Sequence, residues 1–91
     1  MLTVVSYDIV DDSRRTKLAK VLKDFGARVQ FSVFECRLDL AQLESLAQRL
    51  RKVIDEAKDS VRIYRVCQEC AVKTVILGKG QLTQDPDVYV L

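Results

Sequence analysis

The run LTVVSYDI, Leu2 to Ile9, is dense in β-branched and apolar residues and stops abruptly at Asp11-Asp12-Ser13. Such a run reads as a strand, and Asp12 or Ser13 can cap a helix that starts there. Past the stop, Leu18, Val21, Leu22 and Phe25 recur at helical spacing, Lys20 and Lys23 suit a last turn, and Gly26 is the expected stop. The first helix is thus expected over Ser13 to Phe25. A chain that switches hydrophobic period within a few residues folds as strand then helix, which confines it to mixed architectures.

The same alternation continues. Arg28 to Leu38, RVQFSVFECRL, is strand-like, and Asp39 with Gln42 resembles a capping box. The helix it opens is the clearest in the chain: Leu43, Leu46, Ala47, Leu50, Val53, Ile54 and Ala57 form one apolar face. Val61 to Val66 and Val72 to Leu77 read as two further strands, and Val88 to Leu91 as a short apolar tail beyond GKGQLTQDPD. Strand-helix-strand followed by helix-strand implies a two-layer α+β sandwich with both helices on one sheet face. A ferredoxin-like fold needs Arg28 to Leu38 to be a hairpin, yet the stretch has no Gly, Pro or Asn to mark a turn, so locally it reads as one long strand.

Size and composition exclude several classes. A chain of 91 residues supports one core, hence one domain. No apolar stretch approaches the roughly 20 residues of a membrane span, and the start lacks a signal-peptide pattern, so a cytoplasmic protein without membrane contact is expected. Three cysteines, an odd number, fit free thiols in a reducing compartment. There is no histidine, which removes Ser-His, Cys-His and paired-His catalytic schemes and leaves carboxylates, lysine, tyrosine or a metal for any hydrolysis.

Charge is unevenly placed. The chain carries only +2, but Ser13 to Arg28 contains six Lys/Arg and one acidic residue. One helix face of this kind can simply be solvated; repeated across a symmetric dimer it favours contact with nucleic-acid phosphates, through Arg14, Arg15, Lys17, Lys20 and Arg28. No element resembles a major-groove reader, so contact of low sequence specificity is expected. Cys67-x-x-Cys70 offers only two of four zinc ligands, and a free-thiol loop is its expected role.

YDIVDDSRRTKLAKVL, GARVQFSVFEC and DSVRIYRV, in this order and at these intervals, resemble the family of CRISPR-associated protein two, the small adaptation protein that accompanies the CRISPR integrase. The resemblance covers essentially the whole chain. It implies a ferredoxin-like homodimer in which Gln30 to Ser32 make a tight hairpin and residues 79–91 form an extension whose C-terminal strand pairs with the partner subunit. It also implies a Mg²⁺-dependent, or Mn²⁺-dependent, endonuclease acting on RNA or double-stranded DNA, and a protein that bridges integrase subunits while holding duplex DNA or single-stranded RNA.

Position by position, the resemblance makes Asp8 the metal-binding aspartate, sets Tyr7 beside it, and associates Arg15, Lys17, Arg28 and Phe34 with nuclease activity. Physical chemistry is compatible with this. Mg²⁺ is usually held by one or two carboxylates with water and substrate phosphates, so a single Asp8 suffices only when doubled across a dimer axis. A metal so held polarises a phosphodiester and dispenses with histidine. Asp11 and Asp12 are explained as helix-starting residues. The competing function class is a ferredoxin-like regulatory dimer binding a small ligand, which leaves the basic helix unexplained.

Overall fold

The computed structural model describes residues 1–83. Its elements are β1 (Leu2–Asp8), α1 (Asp12–Lys23), β2 (Gly26–Gln30), β3 (Val33–Arg37), α2 (Leu40–Val53), β4 (Ser60–Val66) and α3 (Gln68–Val72). The four strands form one antiparallel sheet in the order β2-β3-β1-β4. Two split β-α-β units with β1 and β3 innermost make the ferredoxin-like arrangement. Val5, Tyr7, Phe34 and Cys36 from the sheet share a single core with Leu18 and Leu22 of α1 and Leu46 and Leu50 of α2. Both helices therefore cover the same sheet face, as the alternation of elements required.

Local chemistry accounts for the helix ends. Asp11, rather than Asp12 or Ser13, caps α1: its carboxylate accepts from the Arg14 N–H at 2.9 Å. For α2 the capping box is complete, with Gln42 N–H donating to Asp39 Oδ1 at 2.7 Å and Asp39 N–H to Gln42 Oε1 at 2.9 Å. The helix stops at Val53, so Ala57 lies beyond it, exposed. Gly26 is not the stop of α1, which ends at Lys23 with Asp24 as its cap. Its reason is proximity: a Cβ on Gly26 would lie 2.2 Å from the Glu35 carbonyl oxygen and 2.6 Å from Cys36 Sγ, so only glycine lets β2 approach β3 there.

Two expectations drawn from local pattern are corrected. Arg28 to Leu38 is not one strand but the β2–β3 hairpin, turning at Phe31-Ser32. No non-glycine residue described has positive φ, so this turn is not of the mirror-image kind that demands Asn or Gly. A register shift between Arg28 and Gln30 absorbs the mismatch in twist, and β1 fastens the tip: the Tyr7 N–H donates to the Ser32 carbonyl at 3.1 Å and the Tyr7 hydroxyl to the Phe31 carbonyl at 3.5 Å. The hairpin is held by a third strand, which no local signal reveals.

The second correction is at Val72 to Leu77, which is not a strand. Val72 closes α3, and residues 73–77 have no regular structure, with Val72, Val75 and Leu77 largely exposed. β-branched residues permit a strand, but among the described residues this run makes no ladder with either outer strand of the sheet. Further along, Thr83 touches the same chain's β3: Arg37 Nε donates to its carbonyl at 3.0 Å, and its N–H donates to Glu35 Oε1 at 3.0 Å. The tail Val88 to Leu91, expected to pair across a dimer, lies outside the described residues.

Candidate functional site

Alternation along β1 sends neighbouring side chains to opposite faces. Thr3, Val5 and Tyr7 point to the helices and are buried, whereas Val4, Ser6 and Asp8 belong to the open face. Tyr7 and Asp8, adjacent in sequence, therefore serve different sides of the sheet. The Tyr7 ring sits 6.3 Å from that of Phe34, which is completely buried, so Phe34 acts as core support for whatever lies above it.

On the helix side, Tyr7, Arg15, Thr16, Ala19, Lys20, Lys23, Arg28 and Phe31 line a pocket of about 270 Å³ between α1 and the β2–β3 hairpin. Four of these residues are cations and none is a carboxylate. Arg28 is steadied over the Phe34 ring, its guanidinium carbon 5.4 Å from the ring centroid. Arg15 is steadied by the Ile9 and Val10 carbonyls, which accept from its Nη2 at 3.0 and 3.4 Å, and by an ion pair with Asp12 at the rim. Lys20 and Lys23 are one turn apart on α1 and exposed, so they share a face. A cluster of donors whose one carboxylate partner, Asp12, sits at the rim rather than in the lining is suited to a phosphodiester. The sequence reading missed Lys23 and Phe31; their signal was present only as membership of the basic helix and of an apolar block.

Arg14 goes elsewhere. It forms a two-pronged pair with Asp59, Nε to Oδ2 at 2.7 Å and Nη2 to Oδ1 at 3.2 Å, and the Asp59 side chain is fully buried. Asp59 also accepts from the Val10 N–H at 3.1 Å and the Asp55 N–H at 2.9 Å. The Arg14 guanidinium, with the two backbone donors, holds the Asp59 carboxyl far below the usual carboxylate range, and Arg14 is raised in turn. Asp59 thus ties the first turn of α1, through Arg14, and the loop after β1, through Val10, to the segment before β4, whose first residue, Ser60, is opposite Asp8 in the β1–β4 register. Arg14 is thus committed to the fold, and Lys17 does not line the pocket.

Asp8 is exposed at the end of β1 and, among the described residues, has no hydrogen-bond or ion-pair partner. On the same face stand Ser60, opposite it, and Arg62, opposite Ser6. A free, hard carboxylate suits a divalent cation, but among the described residues no three metal-ligating side chains cluster, so no complete protein cage for a metal lies within one protomer. Cys67 and Cys70 lie exposed on the first turn of α3, where the Cys67 sulfur accepts from the Cys70 N–H at 3.4 Å, which lowers its thiol pKa. Cys36 is buried in the core, and burial pushes its thiol up to about 11, so the three do not meet as a zinc site.

The chain thus carries a basic pocket on the helix side of the sheet and a free strand-end aspartate on the other, and residues 1–74 fit the family described as CRISPR associated protein Cas2. The chain belongs to the Cas2 family. It is 54% identical to CRISPR-associated endoribonuclease Cas2 3 of Chloroflexus aurantiacus, over all of this chain and 98% of that one. It is 49% identical to CRISPR-associated endonuclease Cas2 2 of Thermus thermophilus, over 99% of this chain and 96% of the relative. The crystal structure of Streptococcus pyogenes Cas2 superposes with a TM-score of 0.75 at 35% identity, covering 86% of this chain and all of that one. No helix described is long and apolar enough to cross a membrane.

Proposed function

We propose that this chain is a homodimeric, divalent-metal-dependent nuclease of the CRISPR adaptation system that binds nucleic acid through the pocket of α1 and the β2–β3 hairpin. The observation that carries this reading is the convergence of Arg15, Lys20, Lys23 and Arg28 on one pocket without a carboxylate lining it. The names endoribonuclease and endonuclease borne by relatives support a phosphodiester as the substrate bond. The cations would neutralise and orient the phosphate chain. Asp8 of each protomer, joined across a two-fold axis, would hold the Mg²⁺ or Mn²⁺ ion, which supplies electrostatic stabilisation of the phosphodiester under attack. A cytoplasmic setting and a partnership with the CRISPR integrase follow from the same reading; a fold neighbour titled as a Cas6-RT-Cas1–Cas2 complex is consistent with that partnership.

Asp8→Asn tests the centre. An amide is a poorer ligand for a hard cation, so cleavage of RNA and of double-stranded DNA should fall at least ~100-fold with either metal. Dimerisation, followed by sedimentation, should persist, because two facing carboxylates no longer repel. A stable Asp8→Asn dimer that still cuts at the parent rate would refute the assignment.

A further inference from the structure

Phe31 is 86% exposed, although the other aromatic residues flanking it, Tyr7 and Phe34, are buried. Its position is not loose. Its own carbonyl and that of Ser32 are both tied to Tyr7 on an inner strand, so the ring stands on a pedestal whose ordering has already been met by folding. It lines the same pocket as Lys20, Lys23 and Arg28. At about 270 Å³, that pocket falls just below the ~300–1,000 Å³ of sites that enclose a whole drug-sized ligand. It fits a phosphodiester, with the attached base left outside against the rim.

We propose that Phe31 is a stacking platform for an unpaired base whose adjoining phosphate occupies the cationic pocket, so that this surface takes single-stranded nucleic acid, or a frayed end, in preference to a closed duplex. The inference deepens the nucleic-acid reading above and rests on it. Cations alone do not discriminate, because single and double strands both present phosphates. An aromatic face does: within a duplex each base is already stacked on both sides, whereas an unpaired base offers a free face, and a basic groove with an aromatic beside it is the arrangement that recognises single strands. The geometry of the donors agrees. Arg28 is held by the Phe34 ring beneath it, Lys20 and Lys23 reach in from α1, and Arg15 shares its charge with Asp12 at the rim.

The test uses the full chain with chelator present, so that binding is read without cleavage, and labelled strands of equal length: poly-dT, poly-U, an abasic strand and a blunt duplex. Phe31→Ala should weaken binding to the base-bearing single strands by roughly 5- to 100-fold, leave the abasic strand and the duplex unchanged, and preserve the salt slope, since no phosphate contact is lost. Phe31→Tyr should restore the parent affinity. Equal affinity of Phe31→Ala and parent for the base-bearing strands, or an equal loss on the abasic strand, would overturn the stacking role while leaving phosphate binding intact. A parent protein that binds none of the four would instead overturn the nucleic-acid reading itself.

Discussion

Arg14 and Arg15 are neighbours on the first turn of α1, and the fold sends them to opposite tasks. Arg14 is three-quarters covered and paired with Asp59, whose side chain is wholly buried. Arg15 keeps an exposed guanidinium at the mouth of a pocket that it shares with Lys20, Lys23 and Arg28. The first arrangement satisfies a buried charge with four donors and so locks two loops together. The second gathers four cations with a single exposed carboxylate, Asp12, at the rim, and leaves the remaining charge for an outside anion. In a basic helix the partner across the fold, not the count of charges, decides which cations serve stability and which serve binding.

The sharpest way to break this comparison is at Asp59. Asp59→Asn leaves the Arg14 charge part-buried without its counter-ion and should lower the melting temperature by more than ~5 °C. The pH dependence has a definite sign. Because the folded carboxyl lies far below the unfolded value of about 3.9, its contribution is fully present above that value and is lost as pH falls below it toward the folded one. Arg14 stays charged throughout and adds no slope. Thermal melts of the parent should therefore decline from about pH 5 downward, and Asp59→Asn should flatten that decline; two parallel curves would show that Asp59 is not the linked group.

A smaller effect is expected at the pocket. Replacing Lys20 and Lys23 together with Gln should leave the melting temperature nearly unchanged, since both are exposed and Gln is a good helix former. It should reduce the slope of log affinity against log salt by about two, one for each lost phosphate contact. A fall in stability without a change in slope would place these lysines with Arg14 rather than Arg15. The smallest effect is expected at Lys17, on the same helix but outside the pocket. Lys17→Gln should leave both stability and slope close to the parent, and a slope change equal to that at Lys20 would mean that the whole helix, and not the pocket, meets the nucleic acid.

Much of this was legible in the chain. The first strand, the two long helices and the capping box at Asp39 depend on contacts within a few residues, and the sequence pattern states them directly, although the cap of α1 falls on Asp11, one residue before the expected candidates. The hairpin at Phe31-Ser32 does not, because Tyr7, twenty-four residues upstream of Phe31, holds its tip. Resemblance to the family supplied that turn where local chemistry pointed to one strand. The reading of Val72 to Leu77 as a strand failed for the converse reason: β-branched residues allow a strand, but a strand exists only where a neighbour accepts its hydrogen bonds.

The site divides along the same line. By itself the sequence determined that basic residues crowd into Ser13 to Arg28, that histidine chemistry is absent, and that an acidic cluster, Asp11-Asp12, follows the first strand. Only the tertiary structure decided that Tyr7 and Asp8 face opposite sides of the sheet, that Arg14 belongs to Asp59, and that Lys23 and Phe31 join Arg28 around one pocket. The physical reason is range. Propensity, capping and charge density are sums over near neighbours, whereas a side chain's partner is set by which distant residue the sheet register and the packed helices bring within a few ångströms of it.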